Sequence, residues 1–195
     1  PNTNNCLPPM ASNDRLMEKP TIDTVLAMLS ERFSDAIISV EKEYDFHVIV
    51  LHKDKLTQVL RSLYEDEIFQ FRYLTTLCGL HFPASPKPFG VMYQTHSLVH
   101  NLRLRFKTFT TADDLEFESL TSVFPAANWL ERETFDFFGF KFKGHPNLRR
   151  ILNLDDMDYH PLRKEYPIED ATRYDKDDTM FGRIASGYDR KRLQS

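Results

Sequence analysis

Apolar residues first recur at helical spacing at Ile22, Val25, Leu26, Leu29 and Phe33, which predicts a helix starting near Thr21. Two short β-branched runs follow, Ala36–Val40 and Phe46–Leu51. They flank the polar stretch Glu41-Lys42-Glu43-Tyr44-Asp45 and predict a hairpin. A second helix is expected over about Asp54–Tyr64, with Leu56, Val59, Leu60 and Leu63 on one side and Asp54 placed to cap it. Phe69–Leu80 is strand-like, and the proline-broken run Pro83-Ala84-Ser85-Pro86-Lys87-Pro88 cannot continue a ladder. Gly90–Ser97 and Asn101–Phe109 alternate around a short His100-Asn101 turn, which sets Leu102, Leu104 and Phe106 on one face and Arg103, Arg105 and Lys107 on the other. Pro125 suits the first turn of a helix running to Phe138, and Gly139 is the natural left-handed stop after it. Helices and antiparallel strands without repeating βαβ units predict an α+β fold, with helices packed on a mainly antiparallel sheet.

The ends of the chain read differently. Residues 1–20 hold four prolines and little apolar surface, and are expected to form a flexible leader. Residues 21–140 form the globular domain. Residues 141–195, with prolines at 146, 161 and 167, many charges and little periodicity, are expected to be a long extended C-terminal arm that docks on a partner.

Composition removes several function classes. The formal net charge is −4, so no strong positive field points to nucleic acid or to an anionic membrane surface. No apolar run approaches the roughly 18 residues of a membrane helix, so no direct membrane insertion is expected. The chain has two cysteines, Cys6 and Cys78, too few for a cluster held by four thiolates. Neither G-x-G-x-x-G nor G-x-x-x-x-G-K-[ST] occurs, so the usual glycine-rich cradles for a dinucleotide or a triphosphate are missing.

The densest stretch is Trp129-Leu130-Glu131-Arg132-Glu133-Thr134-Phe135-Asp136-Phe137-Phe138-Gly139-Phe140. At about 100° per residue, Leu130, Thr134, Phe137 and Phe138 share an apolar face, while Trp129, Arg132, Glu133 and Asp136 gather opposite. Trp beside charges suggests a helix covered on more than one side, with Arg132 spaced i,i+4 to pair with Asp136. An amphipathic helix with solvated charges is the plainer alternative. Downstream come Gly144-His145-Pro146-Asn147-Leu148-Arg149-Arg150-Ile151-Leu152 and Tyr159-His160-Pro161-Leu162-Arg163-Lys164. Each His-Pro step stiffens the chain ahead of a basic pair, an arrangement suited to docking into an acidic or carbonyl-rich groove. His145 and His160 have the chemistry of acid–base groups or metal ligands, but no cysteine lies near either one.

These segments, Glu131-Arg132-Glu133-x-Phe135-Asp136-x-Phe138-Gly139, Gly144-His145-Pro146-x-Leu148-Arg149-Arg150-Ile151-Leu152 and His160-Pro161-Leu162-Arg163-Lys164, resemble the signature of the 30-kilodalton-type C-subunit of NADH:quinone oxidoreductase, respiratory complex I. Tyr73-Leu74 and Leu77-x-Gly79-Leu80 resemble a second, looser block of that family, in which Thr76 and His81 stand where members often carry aspartates. The resemblance implies a structural subunit of the peripheral arm, packed against the large subunit that helps form the quinone pocket, on the cytoplasmic side of the plasma membrane. It implies no catalytic residue, metal or cofactor on this chain, with FMN and iron–sulfur clusters in partner subunits. The signature residues Trp129, Glu131, Arg132, Glu133, Asp136, Gly139, Gly144, His145, Pro146, Arg149, Arg150, His160, Pro161, Arg163 and Lys164 become the candidate subunit contacts. Three alternatives differ from this: the equivalent subunit of a plastoquinone-reducing complex or membrane-bound hydrogenase, a stand-alone hydrolase or metalloenzyme using His145 and His160, and a cytosolic adaptor.

Overall fold

Thr21 opens the first helix with a reciprocal cap: its side chain accepts from the Thr24 amide, and the Thr24 hydroxyl accepts from the Thr21 amide. The computed structural model describes residues 19–166; the expected leader therefore falls outside the described residues except for Lys19 and Pro20, and so does the arm from 167 onward. The chain divides into two units, the first ending at Lys164 and containing every helix and strand among the described residues. Glu165 and Tyr166, both exposed, belong to the second.

Three helices, α1 (Ile22–Arg32), α2 (Leu56–Glu65) and α3 (Ala127–Phe138), accompany seven strands among the described residues. Five strands form one sheet: β1 (Ile37–Glu43), β2 (Phe46–Leu51), β3 (Tyr73–His81), β4 (Phe89–Ser97) and β5 (Leu102–Thr110), in the order β1-β2-β5-β4-β3. The β2–β5 pair is parallel and the others antiparallel. A parallel pair needs a crossover. Here the chain leaves β2 through α2, enters the sheet at its far edge as β3, and meanders back until β5 lies beside β2. The expected α+β fold with a mainly antiparallel sheet is what the chain forms.

The strand faces follow the alternation. Leu77, Tyr93, Phe106 and Ile49 stand side by side across β3, β4, β5 and β2, all within 2% of full burial. Val25 and Leu29 of α1 and Val59, Leu60 and Leu63 of α2 join the same core. On the opposite face Arg105 donates to Gln94, lies over the Phe46 ring 4.4 Å from its centroid and shares Glu43 with Lys107.

Several local expectations need correction. Asp54 does not cap α2. Lys53–Lys55 form a 3-10 turn, whose tighter bonds satisfy the first amides in place of a side chain. The third strand begins at Tyr73 rather than Phe69, because Gln70 takes a positive φ of 49° and Asp66 accepts from the amides of Ile68 and Phe69. Two short strands went unforeseen, β6 (Glu116–Glu118) and β7 (Lys141–Lys143), which pair in parallel. Each is three residues long, too short for alternation to register.

α3 lies against β3 at a glycine. A Cβ built at Gly79 would come within 2.4 Å of the Phe138 ring, so the missing side chain is what lets helix and strand approach. Gly79→Ala is expected to overpack this contact and cost about 1–3 kcal/mol, read as a lower denaturant midpoint at unchanged slope. A loss under about 0.5 kcal/mol would show that Phe138 simply swings aside.

Candidate functional site

α3 ends where the left-handed residue must be, at Gly139, with φ 80°. Its last four carbonyls need partners from outside the helix, and each has one. Gly139 N–H donates to Phe135 O at 2.8 Å, His160 Nδ1–H to Asp136 O at 2.9 Å, Leu162 N–H to Phe137 O at 3.2 Å and Arg163 Nε–H to Phe138 O at 2.7 Å. Three of these four donors come from one irregular strap, residues 144–164, laid along the helix. A Cβ at Gly139 would lie 2.6 Å from the His160 ring, so glycine is required there for backbone conformation and for space alike.

The strap's other anchor is Asp136, whose side chain has no exposed surface. Its Oδ2 accepts from three successive main-chain amides, Ile151 at 3.1 Å, Leu152 at 2.8 Å and Asn153 at 3.0 Å. Its Oδ1 accepts from Arg150 Nη1 at 2.8 Å and Asn153 Nδ2 at 3.0 Å. Burial by itself would raise the pKa of this carboxyl. The amides of Asn153 and Leu152, the Asn153 side chain and Arg150 outweigh that and hold it well below the usual carboxylate range. Arg150 is filled as well, donating through Nη2 to the carbonyls of Met157 and Tyr159.

Asp136 is therefore not the partner of Arg132. The i,i+4 spacing allowed that pair, but Arg150, fourteen residues on, takes the carboxylate together with three amides. Arg132 instead donates to Arg149 O at 3.1 Å and Arg150 O at 3.2 Å, and packs against Trp129 with its guanidinium 5.0 Å from the ring centroid. The inference of a helix covered on more than one side holds: Glu131, Arg132, Thr134 and Asp136 are all buried. Much of the cover is the chain's own strap, so the first part of the expected arm finds its hydrogen-bond partners on α3.

The remaining signature residues divide between this knot and the surface. Glu131 faces away from the strap, accepting from Leu120 N–H and Ser119 Oγ, each at 2.7 Å. Glu133 is half-buried. Gly144 has φ 83° and open space where a Cβ would be. His145 accepts the Asn147 amide at Nδ1, which leaves Nε2–H to donate to Asn128 O at 3.1 Å. Burial lowers the pKa of His160, as suits a neutral ring donating to a helix carbonyl. Pro161 is half-buried, and Pro146 and Arg149 are exposed. Arg163 lies 5.2 Å from the Phe89 ring centroid, and the Lys164 amide donates to His81 Nδ1 at 2.9 Å. Asn153 was not anticipated, and His81 stood out only as a departure from the family's looser block, with no contact assigned to it. No group of three His, Cys, Asp or Glu among the described residues is placed to hold a metal, and no helix among them is long and apolar enough to cross a membrane.

Five of the motif residues, Asp136, Gly139, Arg150, His160 and Arg163, thus meet at the C-terminal end of α3. A model of the family described as the 30-kDa subunit of respiratory-chain NADH dehydrogenase matches residues 49–172. The chain belongs to this family. Its relatives include the NADH-quinone oxidoreductase C-subunit of Methylobacterium sp. (strain 4-46), 38% identical over 152 residues, which are 77% of this chain and 70% of the relative. The same subunit of Bartonella bacilliformis is 37% identical over 163 residues, 83% of this chain and 79% of the relative. That of Citrifermentans bemidjiense is 34% identical over 164 residues, 84% and 95% of the two chains. Two solved structures share the fold. One is a trypsin-resistant fragment of Nqo5, with TM-score 0.55 and 24% identity over 64% of this chain and 98% of the fragment. The other is a chain of an archaeal membrane-bound sulfane sulfur reductase complex, with TM-score 0.65 and 18% identity over 85% and 94% of the chains. The three helices and five-stranded sheet are thus the fold of the 30-kDa family.

Removing the charge at Asp136 leaves Arg150 buried without its counter-ion, so Asp136→Asn is expected to cost about 3–5 kcal/mol. Amide exchange at 151–153 should quicken at the same time. Because the folded-state pKa is depressed, this stabilisation is present above the unfolded value near 4 and is lost as pH falls below it. A mutant with wild-type exchange at 151–153 would show that the carboxylate does not hold the strap.

Proposed function

We propose that this chain works as a cofactor-free structural subunit in the peripheral arm of an NADH-quinone oxidoreductase, docking through the outer side of α3 and its strap onto the large subunit that helps form the quinone pocket. On this reading FMN and the iron–sulfur clusters reside in partner subunits. Electrons pass from NADH to quinone through those subunits, on the cytoplasmic side of the membrane, while protons are translocated elsewhere in the complex. The chain's own chemistry is positional.

The observation that carries this reading is the division of labour within the knot. The polar motif residues are consumed internally, while the side chains left over form an outward set that a monomer has no use for. Trp129 is 63% exposed, and Leu152, Leu154 and Leu162 are exposed with it. Arg149 and Lys164 are exposed as well. Exposed large apolar residues rimmed by cations mark an interaction surface, with Trp the commonest kind of anchor. Asp136 and Arg150 then act through rigidity: they hold this surface in one shape before the partner arrives, which lowers the ordering cost of association.

The test is a comparison of Trp129→Ala with Asp136→Asn. Because Trp129 is exposed, its loss should cost the isolated chain no more than its contact with Arg132, about 0.5–1 kcal/mol. Its affinity for the complex should nevertheless fall at least ~10-fold, about 1.4 kcal/mol. The readout is recovery of the chain with NADH-quinone oxidoreductase subunits from membranes solubilised in mild detergent. Wild-type recovery of Trp129→Ala would place the docking surface elsewhere.

A further inference from the structure

Glu131 stands apart from the rest of the motif. It is fully buried, and no cation pairs with it among the described residues. Its two oxygens have different partners. Oε1 accepts from the Leu120 amide at 2.7 Å, a donor that cannot reverse. Oε2 lies 2.7 Å from the Ser119 hydroxyl, which lies 2.8 Å from the Thr121 hydroxyl. Ser119 and Thr121 are only half-buried. A line of two rotatable hydroxyls therefore runs from the surface to a buried carboxyl.

We propose that Thr121, Ser119 and Glu131 form a proton-binding site, in which the two hydroxyls relay a proton between solvent and the buried carboxyl. With Glu131 ionised, Thr121 O–H donates to Ser119 Oγ and Ser119 O–H donates to Glu131 Oε2. On loading, solvent delivers a proton to Thr121 Oγ1, Thr121 passes its own to Ser119, and Ser119 passes its own to Oε2. The chain of bonds then points the other way, from Glu131 O–H to Ser119 to Thr121, with none lost. Serine and threonine are suited to this because each hydroxyl is donor and acceptor at once. An ordinary buried carboxylate is stabilised by fixed donors or a cation, as Asp136 is. Glu131 has one fixed donor and one reversible one, so both of its charge states are satisfied.

The surroundings favour the loaded form. Burial pushes the Glu131 pKa up to about 7, against the pull of the Leu120 amide and the Ser119 hydroxyl. From β4, Tyr93 faces this region. Its hydroxyl is buried without a hydrogen-bond partner, and its ionisation is pushed well up by burial and by the charge of Glu131. The 119–121 loop presents only hydroxyls and an amide. Lys143 of β7 offers its carbonyl to the Ser119 amide and is itself exposed, while the neighbouring Arg132 is turned to the strap carbonyls. A raised folded-state pKa means that the fold takes up a proton, so stability from this group is present at pH below about 4.3 and is lost as pH rises through 7.

The experiment is carboxyl NMR of the full chain labelled at glutamate side chains. One resonance should titrate with a midpoint near 7 and be absent in Glu131→Gln. Thr121→Val should leave that midpoint in place but slow its proton exchange at least ~10-fold, because the chain of hydroxyls no longer reaches solvent. Should Glu131→Gln fail to fold, the same resonance is assigned by its displacement in Ser119→Ala. A full set of glutamates titrating near their ordinary value of about 4.3 would overturn the proton site. Unchanged exchange in Thr121→Val would overturn the relay.

Discussion

A carboxylate with no exposed surface must be surrounded by donors or the fold does not form, and Asp136 meets that requirement with five. Three are consecutive main-chain amides that can converge on one oxygen only if residues 151–153 adopt a single curved path. The side chain thus dictates backbone conformation fifteen residues downstream. Once that path is set, Arg150 reaches both Asp136 and the carbonyls of Met157 and Tyr159, and His160 and Arg163 arrive over the end of α3. The irregular strap needs no helix or strand of its own because α3 supplies the hydrogen-bond partners that a ladder would otherwise provide.

Two acidic residues five positions apart on α3 have been driven in opposite directions by what faces them. Asp136 meets amides and a guanidinium, and keeps its charge. Glu131 meets an apolar core, one amide and a hydroxyl, and its affinity for a proton rises. Both carboxyls are closed to solvent, but five donors face Asp136 and only two face Glu131, where burial prevails. α3 is therefore fastened on one side by an ionic contact and on the other by hydrogen bonds whose polarity can reverse.

Much of this architecture is legible in the chain because periodicity is strong where one face is buried. The second strand, the β4–β5 hairpin and the Gly139 stop all lie where alternation and glycine chemistry put them. What escaped was of two kinds. The strands β6 and β7 are too short to have a period. The partners of Arg132 and Asp136 depend on contacts that spacing along one helix cannot rank: an i,i+4 neighbour is always near, yet a guanidinium fourteen residues away wins because it comes with three amides. The motif pointed to the right residues while leaving open whom they bind, since the same charges serve an internal knot or an external partner.

The parallel pairing of β2 with β5 sets a timetable for folding. Residue 47 lies opposite residue 104, so the β2–β5 pair forms only after everything from α2 to β5 has been placed, and such non-local pairing carries a large loop-closure entropy. The knot on α3 spans only residues 132–163 and closes a far shorter loop. During synthesis the strap emerges after every strand of the large sheet. The surface it presents is thus completed only when the domain beneath it already exists, and an incomplete chain cannot display it to an assembling complex.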